Sequence, residues 1–391
     1  MKKAFKALLF VALFVILFLM GMGLAMINNE GNVELPEIKI PHISYQSPSD
    51  DVVKPLGRSY YDGSVRYFSM SGSGAEFTFK GDYAELTLLC DDAESMVTHH
   101  QPRIAILLNG ETVHDTVLDA AEKTLRVDTA DNTQPSVITL IKLSEAKHSS
   151  FALKQICTYG TSKAEPTDEK NLKIEFIGDS ITCGYGIDEP DYYAGFSTHT
   201  ENFMKTYAYL TAKELDADFS AVAFSGYGVI SGYTDNGRKN GDAVVSKYYS
   251  KACLLSDEKE PYWDFSKTAK DVVVINLGTN DASYCSGSVQ RRNEFTSSYI
   301  ELLETVRSCN PKAYILCILG DMNNSLYPSI QQAVSSYSMK SLDSRVEAMT
   351  VYYNMGENDI VINGHPGALS NQNASITLIN KLEELIMRGI I

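Results

Sequence analysis

The sequence predicts a two-part α/β protein: an N-terminal β-sandwich of jelly-roll type, then a doubly wound α/β domain on a parallel sheet. Three observations carry this. Between about Gly57 and Gly160, apolar residues recur with a period near two in short runs broken by turn chemistry. Beyond about residue 170, strand-like and helix-like segments alternate. Two later segments, Val272–Leu277 and Tyr314–Leu319, are apolar nearly throughout, as strands covered on both faces must be.

The elements follow in chain order. Lys2, Lys3 and Lys6 precede an uncharged apolar run of 21 residues, Ala7 to Ile27. A spanning helix needs about 20 such residues, and the flanking lysines place the short N-terminus inside and the body outside. Residues 1–27 therefore read as a membrane anchor, or as a cleaved signal given the small-x-small site Gly23-Leu24-Ala25. In both cases the body is exported, to the outer face of the cell membrane or beyond it. Residues 28–55, with Pro36, Pro41, Pro48 and Pro55 among polar residues, read as a linker.

Residues 56–160 form the expected sandwich. Its strands are Arg66–Met70, Ala75–Lys80, Tyr83–Leu89, Ile104–Leu108, Thr124–Val127, Val137–Leu143 and Phe151–Cys157, with turns such as Lys80-Gly81-Asp82 and Asn109-Gly110. Thr161 to Asn171 is polar and reads as a second linker. Residues 170–391 form the expected α/β domain. Its strands are Leu172–Ile177, Phe219–Phe224, Val272–Leu277, Tyr314–Leu319 and a last one near Val351–Tyr353. Helices are expected at Phe203–Leu215, around Phe295, Tyr299, Leu302 and Val306, and after an N-cap at Ser370. The last of these should turn Ile376, Ile379, Leu382 and Ile386 to the core.

Composition bounds the function. The 391 residues are 44% apolar and 21% charged, which excludes wholesale disorder. With 34 basic against 49 acidic residues the net charge is −15, which argues against a nucleic-acid partner. Seven cysteines lie scattered with no C-x-x-C pair and no Cys/His cluster, so a zinc site is not expected.

Chemistry concentrates at the strand ends. The first strand of the α/β domain ends in Ile177-Gly178-Asp179-Ser180, placing a hydroxyl where a strand hands over to a helix N-terminus. The second is followed by Phe224-Ser225-Gly226-Tyr227-Gly228, where Gly226 can offer a bare backbone N–H. The third ends in Leu277-Gly278-Thr279-Asn280-Asp281, where Asn280 can donate a side-chain amide. His365, in Gly364-His365-Pro366 before the final helix, supplies the base that a serine nucleophile needs. Read singly, each of these is also an ordinary turn, cap or surface residue.

Together, in this order, they resemble the SGNH (GDSL-type) hydrolases. The closer likeness is to carbohydrate esterase family two, of the acetyl xylan esterase type, which places a jelly roll before the hydrolase domain. The likeness covers about residues 55–390 and also rests on Ile141-Lys142-Leu143-Ser144-Glu145, Trp263-Asp264-Phe265 and Val274–Asp281. It implies that Ser180 is the nucleophile and His365 the base. The N–H groups of Ser180 and Gly226, with the Asn280 amide, would form an oxyanion hole. The resemblance implies neither a metal nor an organic cofactor.

In many of these enzymes an Asp lies three residues before the His; here that position is Ile362, and Asp359, six before, is the nearest carboxylate on that side. The family includes Ser–His dyads in which a backbone carbonyl orients the imidazole, so Asp359 is a candidate third member and a carbonyl is the alternative. Trp263 is expected either in the core or along a sugar cleft. The implied activity is an exported serine esterase that removes O-acetyl groups from a polysaccharide of xylan, mannan or envelope type. The alternatives are a lipase-like or other acyl esterase, and a glycan-binding protein with weak esterase activity. An acetylated carbohydrate is the expected partner, and no oligomeric state is implied.

Overall fold

The computed structural model describes residues 40–90, 98–255, 261–356 and 359–391. The expected anchor at 1–27 and the first part of the linker lie outside them. Among the described residues no helix is long and apolar enough to cross a membrane.

The sandwich strands are β1 (His42–Gln46), β2 (Lys54–Leu56), β3 (Tyr60–Tyr61), β4 (Arg66–Phe68), β5 (Gly74–Phe79), β6 (Gly81–Leu89), β7 (Arg103–Leu108), β8 (Glu111–Val117), β9 (Glu122–Asp128), β10 (Ser136–Lys142), β11 (Phe151–Gly160) and β12 (Glu165–Pro166). They form two antiparallel sheets. One runs β3-β4-β11-β6-β9 with β1 added on β11, and the other runs β12-β5-β10-β7-β8 with β2 added on β5. Alternation does the work: in β5 Ala75, Phe77 and Phe79 are buried while Glu76 and Thr78 are not. They meet Phe68, Leu86, Leu88, Ile106, Leu140 and Phe151 in the space between the sheets.

Both polar linkers contribute strands, which corrects the sequence reading. His42–Gln46 pairs with Ile156–Gly160, and Glu165–Pro166 pairs with Phe77–Thr78. These strands are short and the apolar Ile43 and Tyr45 of the first lie on its exposed face, so neither gives a pattern long enough to read as a strand.

The second part has five parallel strands, β13 (Leu172–Gly178), β14 (Ala217–Ala223), β15 (Val272–Asn276), β16 (Tyr314–Gly320) and β17 (Val346–Val351), in the order β14-β13-β15-β16-β17. Every residue of β15 and β16 is buried. One face packs on α4 (Val289–Cys309) and α5 (Tyr327–Ser341), the other on α2 (Tyr207–Glu214) and α6 (Ala368–Met387). Two shorter helices, α1 (Ser180–Cys183) and α3 (Asp281–Cys285), follow β13 and β15. The strand order reverses between β13 and β15, and a crevice outside the C-terminal ends of these strands is where open α/β sheets place ligands.

Two expectations about α6 change. The helix begins at Ala368 after an N-cap at Gly367, so Ser370 lies inside its first turn. Of the four residues expected to face the core, Leu382 is buried and Ile379 partly so, while Ile376 and Ile386 are exposed. The buried face is Ser370, Asn371, Ala374, Ser375, Leu378, Leu382 and Leu385. The segment is apolar on two helical faces, and the small residues Ala374 and Ser375 admit the closer approach.

The sandwich packs directly against the α/β part. Arg58 and Glu175 form an ion pair of 2.8 Å with both side chains fully buried. Ala105, Leu107, Ile141 and Leu143 of the sandwich join the apolar cluster of β13 and α2.

Candidate active site

Ser180 follows β13 with no intervening loop. A Cβ on Gly178 would fall 2.0 Å from Thr182 Oγ1, so only glycine lets the strand run this close to α1. Asp179 is the N-cap, its carboxylate accepting from Ile181 N–H at 3.1 Å. Ser180 thereby becomes the first helical residue, with its hydroxyl at the strand end.

His365 reaches it from the other end of the chain. A tight hairpin of β18 (Ile360–Val361) and β19 (His365–Pro366) holds the ring. Its Nε2 lies 2.8 Å from Ser180 Oγ, and its Nδ1 lies 3.0 Å from the carbonyl oxygen of Ile362. A carbonyl only accepts, so Nδ1 carries the hydrogen. In the neutral ring Nε2 is then the acceptor, and the serine hydroxyl donates to it. Burial pushes His365 down to about 4, with the Ile362 carbonyl opposing. The imidazole is therefore neutral near pH 7 and free to take a proton.

The Tyr185 ring lies 4.5 Å from that of His365 and stacks on Phe196, which lies against His148, itself stacked on His100. This column runs from the imidazole to the sandwich.

Gly226 follows β14 with φ +82°, a backbone conformation that favours glycine. From Ser225 to Ser231, the Gly226 N–H alone lacks an acceptor among the described residues. Ser225 donates to Glu145, Tyr227 to Phe224, Gly228 to Ala243, and Val229, Ile230 and Ser231 to the Asp281 carboxylate. Burial raises Asp281 to about 6, and burial together with the Asp281 charge raises Asp179 to about 7.

Asn280 is buried next to Asp281. Its Nδ2 donates to the Tyr227 carbonyl at 2.9 Å and to Asp179 Oδ2 at 3.1 Å. The amide thus ties the Gly226 loop to the residue before Ser180, and an oxyanion would have to replace one of these two acceptors.

A serine hydroxyl on a neutral imidazole, with a backbone N–H unpaired among the described residues at a glycine turn after the neighbouring strand, is an arrangement suited to acyl transfer. Comparison with known proteins agrees with the architecture. Residues 176–373 match the GDSL-like Lipase/Acylhydrolase family, and residues 56–166 match the carbohydrate esterase 2 N-terminal family. The chain belongs to the GDSL-like lipase/acylhydrolase family.

Among similar members, an acetylxylan esterase / glucomannan deacetylase of Cellvibrio japonicus is 29% identical over 279 residues, covering 71% of this chain and 73% of that protein. A cellulase/esterase, CelE, of Acetivibrio thermocellus is 39% identical over 154 residues, covering 38% of this chain. That match spans 17% of the length of CelE. An acetyl xylan esterase from the rumen bacterium Butyrivibrio proteoclasticus superposes with a TM-score of 0.80 at 22% identity, over 89% of this chain and 99% of that one.

Two sequence candidates lie away from the Ser–His pair. Asp359, considered as a third catalytic member, instead caps α6: its carboxylate accepts from the backbone N–H groups of Leu369 and Ser370. Trp263, considered for a sugar cleft, packs its half-buried ring 5.6 Å from the Arg58 guanidinium, which Tyr249 and Phe265 also flank. Arg58 pairs with Glu175 in the middle of β13, well before the Ser180 end. Among the described residues no group of three His, Cys, Asp or Glu is placed to hold a metal ion.

Of the two alternatives for orienting His365, the geometry has the carbonyl, and it is that of Ile362, which has no side-chain signature to single it out. Sequence reading missed the contacts of Tyr185 and Glu145. Glu145 stood in a quoted motif, but its partner is 80 residues away.

Proposed function

We propose that this member of the GDSL-like family is an exported serine esterase that removes O-acetyl groups from a polysaccharide of xylan, mannan or envelope type. The observation that carries the reading is the 2.8 Å contact of Ser180 Oγ with a His365 ring whose tautomer the Ile362 carbonyl sets. The named activities of the Cellvibrio and Butyrivibrio relatives support the acetyl-ester substrate class.

In this reading Ser180 Oγ attacks the acetyl carbonyl carbon while His365 Nε2 takes the hydroxyl proton. The oxyanion develops toward the N–H groups of Ser180 and Gly226 and toward the Asn280 amide. Collapse breaks the ester bond, and His365 returns the proton to the departing sugar oxygen. Water, activated by the same imidazole, then releases acetate from acetyl-Ser180.

The test is acetate release from acetylated xylan and acetylated glucomannan, alongside 4-nitrophenyl acetate, by the body from residue 40 onward and by its Ser180→Ala variant. The reading requires release by the first and near-complete loss in the second; full activity in Ser180→Ala overturns it. Export rests on residues 1–27 and is tested by fractionating native cells. Recovery of the full body in the cytosol would overturn that part.

A further inference from the structure

Glu145 occupies a position that folding energetics alone disfavours. It closes the stretch Ile141–Glu145, which leaves β10 and enters the face against the α/β part. Its side chain is fully buried, and burial raises its carboxyl above the usual range. Two more ionisable groups are buried beside it. Lys142 Nζ donates to the carbonyl oxygens of Ser144 and Glu145 at 2.8 and 2.7 Å, and Glu201 Oε2 accepts from the Glu145 backbone N–H at 2.9 Å. Burial draws Lys142 down to about 8 and lifts Glu201 well above its ordinary value. Well-packed apolar residues are often as stable as such a buried charged group, or more so.

The contacts of the Glu145 carboxylate suggest what it does. Oε2 accepts from the Ser225 backbone N–H at 2.8 Å, immediately before Gly226. The same oxygen lies 4.0 Å from Cys183 Sγ, at the end of the short helix that Ser180 begins. Among the described residues Oε1 has no hydrogen-bond partner; His148 Nε2 stands 3.8 Å away, and burial holds that ring neutral by pushing it down to about 3. From the sandwich, Lys147 Nζ also reaches the Ser225 carbonyl at 3.3 Å. One side chain therefore touches both the segment that leads into Gly226 and the short helix that Ser180 begins.

We infer that Glu145 is a positioning residue: it fixes the Gly226 loop relative to the Ser180 helix, so that the sandwich completes the oxyanion hole of the hydrolase. The inference rests on the esterase reading above. It makes the sandwich part of the catalytic centre rather than an appended module.

The experiment measures kcat and KM on 4-nitrophenyl acetate for wild type, Glu145→Gln, Glu145→Met and Glu145→Ala. Rates are expressed per active site titrated with a serine-directed fluorophosphonate, so misfolded protein does not count. Glu145→Met and Glu145→Ala should lose about tenfold or more in kcat with KM within about twofold, the pattern of an interaction used in the transition state. Glu145→Gln keeps an acceptor for Ser225 N–H and should stay within about threefold of wild type. Glu145→Met and Glu145→Ala both leave the Ser225 N–H without its acceptor and Lys142 without a facing carboxylate, so both should melt below wild type. The loss of kcat per titrated site at unchanged KM, restored in Glu145→Gln, is the readout that a merely structural role would not produce.

A kcat within about twofold of wild type in Glu145→Met, or a Gln variant as impaired as the Ala variant, overturns the inference. An inactive wild type, or an active Ser180→Ala, overturns the esterase reading itself. An active wild type with a dead Ser180→Ala and an unaffected Glu145→Met overturns only the role of Glu145.

Discussion

His365 donates from Nδ1 to the backbone carbonyl of Ile362, the residue three positions before it, where related hydrolases often carry an aspartate. A carbonyl dipole sets the tautomer as a carboxylate would, but it brings no full charge to stabilise the imidazolium that forms on proton transfer. The pair is thus a dyad in geometry, and its consequences differ from those of a triad.

The first consequence concerns the pair itself. Ser180→Ala and His365→Ala should each remove nearly all acetyl-ester hydrolysis, and the double variant should be little worse than either single one. Groups that act as a unit are grossly non-additive. Steady-state kinetics of the three variants on 4-nitrophenyl acetate checks this; losses that multiply would mean that the two side chains act independently.

Asp359 should behave as a structural residue. Asp359→Asn should lower kcat by less than about tenfold, far from the ~10⁴ lost when a triad aspartate is neutralised. Because its carboxylate caps α6, Asp359→Ala should reduce stability by about 1 kcal/mol, the usual value of an N-terminal cap. Kinetics and thermal melts on the same preparations separate the two effects. A rate loss near ~10⁴ with an unchanged melting temperature would restore Asp359 to the reaction.

Asn280 has two roles to lose. Its amide holds the Tyr227 carbonyl and Asp179, and in the proposed reaction it would exchange one of these acceptors for the oxyanion. Asn280→Ala should lower kcat by about 10²–10³ with little change in KM, the magnitude for one transition-state donor. A wild-type kcat in a folded variant would reduce Asn280 to a turn residue.

The sequence made these positions legible unevenly, for physical reasons. Ser180, Gly226 and Asn280 stand at strand ends, where the change from an apolar run to Gly, Asp and Asn is visible locally. His365 stood out because no other histidine follows His199. The parallel sheet was legible because β15 and β16 bury every residue. What escaped depends on partners distant in the chain. Glu145 meets the Gly226 loop only through Ser225, 80 residues away. The carbonyl left open as the orienting group could be placed at Ile362 only by the structure, because a residue with any side chain would supply it. Ser370 looked like a cap because serine commonly is one, yet Asp359 caps that helix from outside it. The buried face of α6 was misread because apolar residues lie on two of its faces, and only packing against β17 and α2 chooses between them.

The acid side of the pH profile should lie unusually low. Burial holds His365 near about 4 instead of its ordinary 6.5, so the base stays neutral well below pH 6. The acid limb of kcat/KM for the free enzyme should therefore fall near pH 4, where an exposed histidine would place it near 6.5. The same shift acts on stability. Between pH 6.5 and 4 the unfolded chain takes up a proton at this histidine that the folded chain does not, so the unfolded state gains as pH drops. The contribution of His365 is fully present above pH 6.5 and is lost as pH falls toward 4. Asp179, raised to about 7 from its ordinary 3.8, works in the opposite sense, because its folded form holds the proton across that range. The two partly cancel in a thermal melt but not in a rate profile, since only His365 must be neutral to accept the serine proton. The decisive measurement is kcat/KM on 4-nitrophenyl acetate from pH 3.5 to 8, with refolding checked at each pH. A limb near 6.5 would show that water reaches the imidazole in the working enzyme and that the column of Tyr185 and Phe196 does not keep it dry.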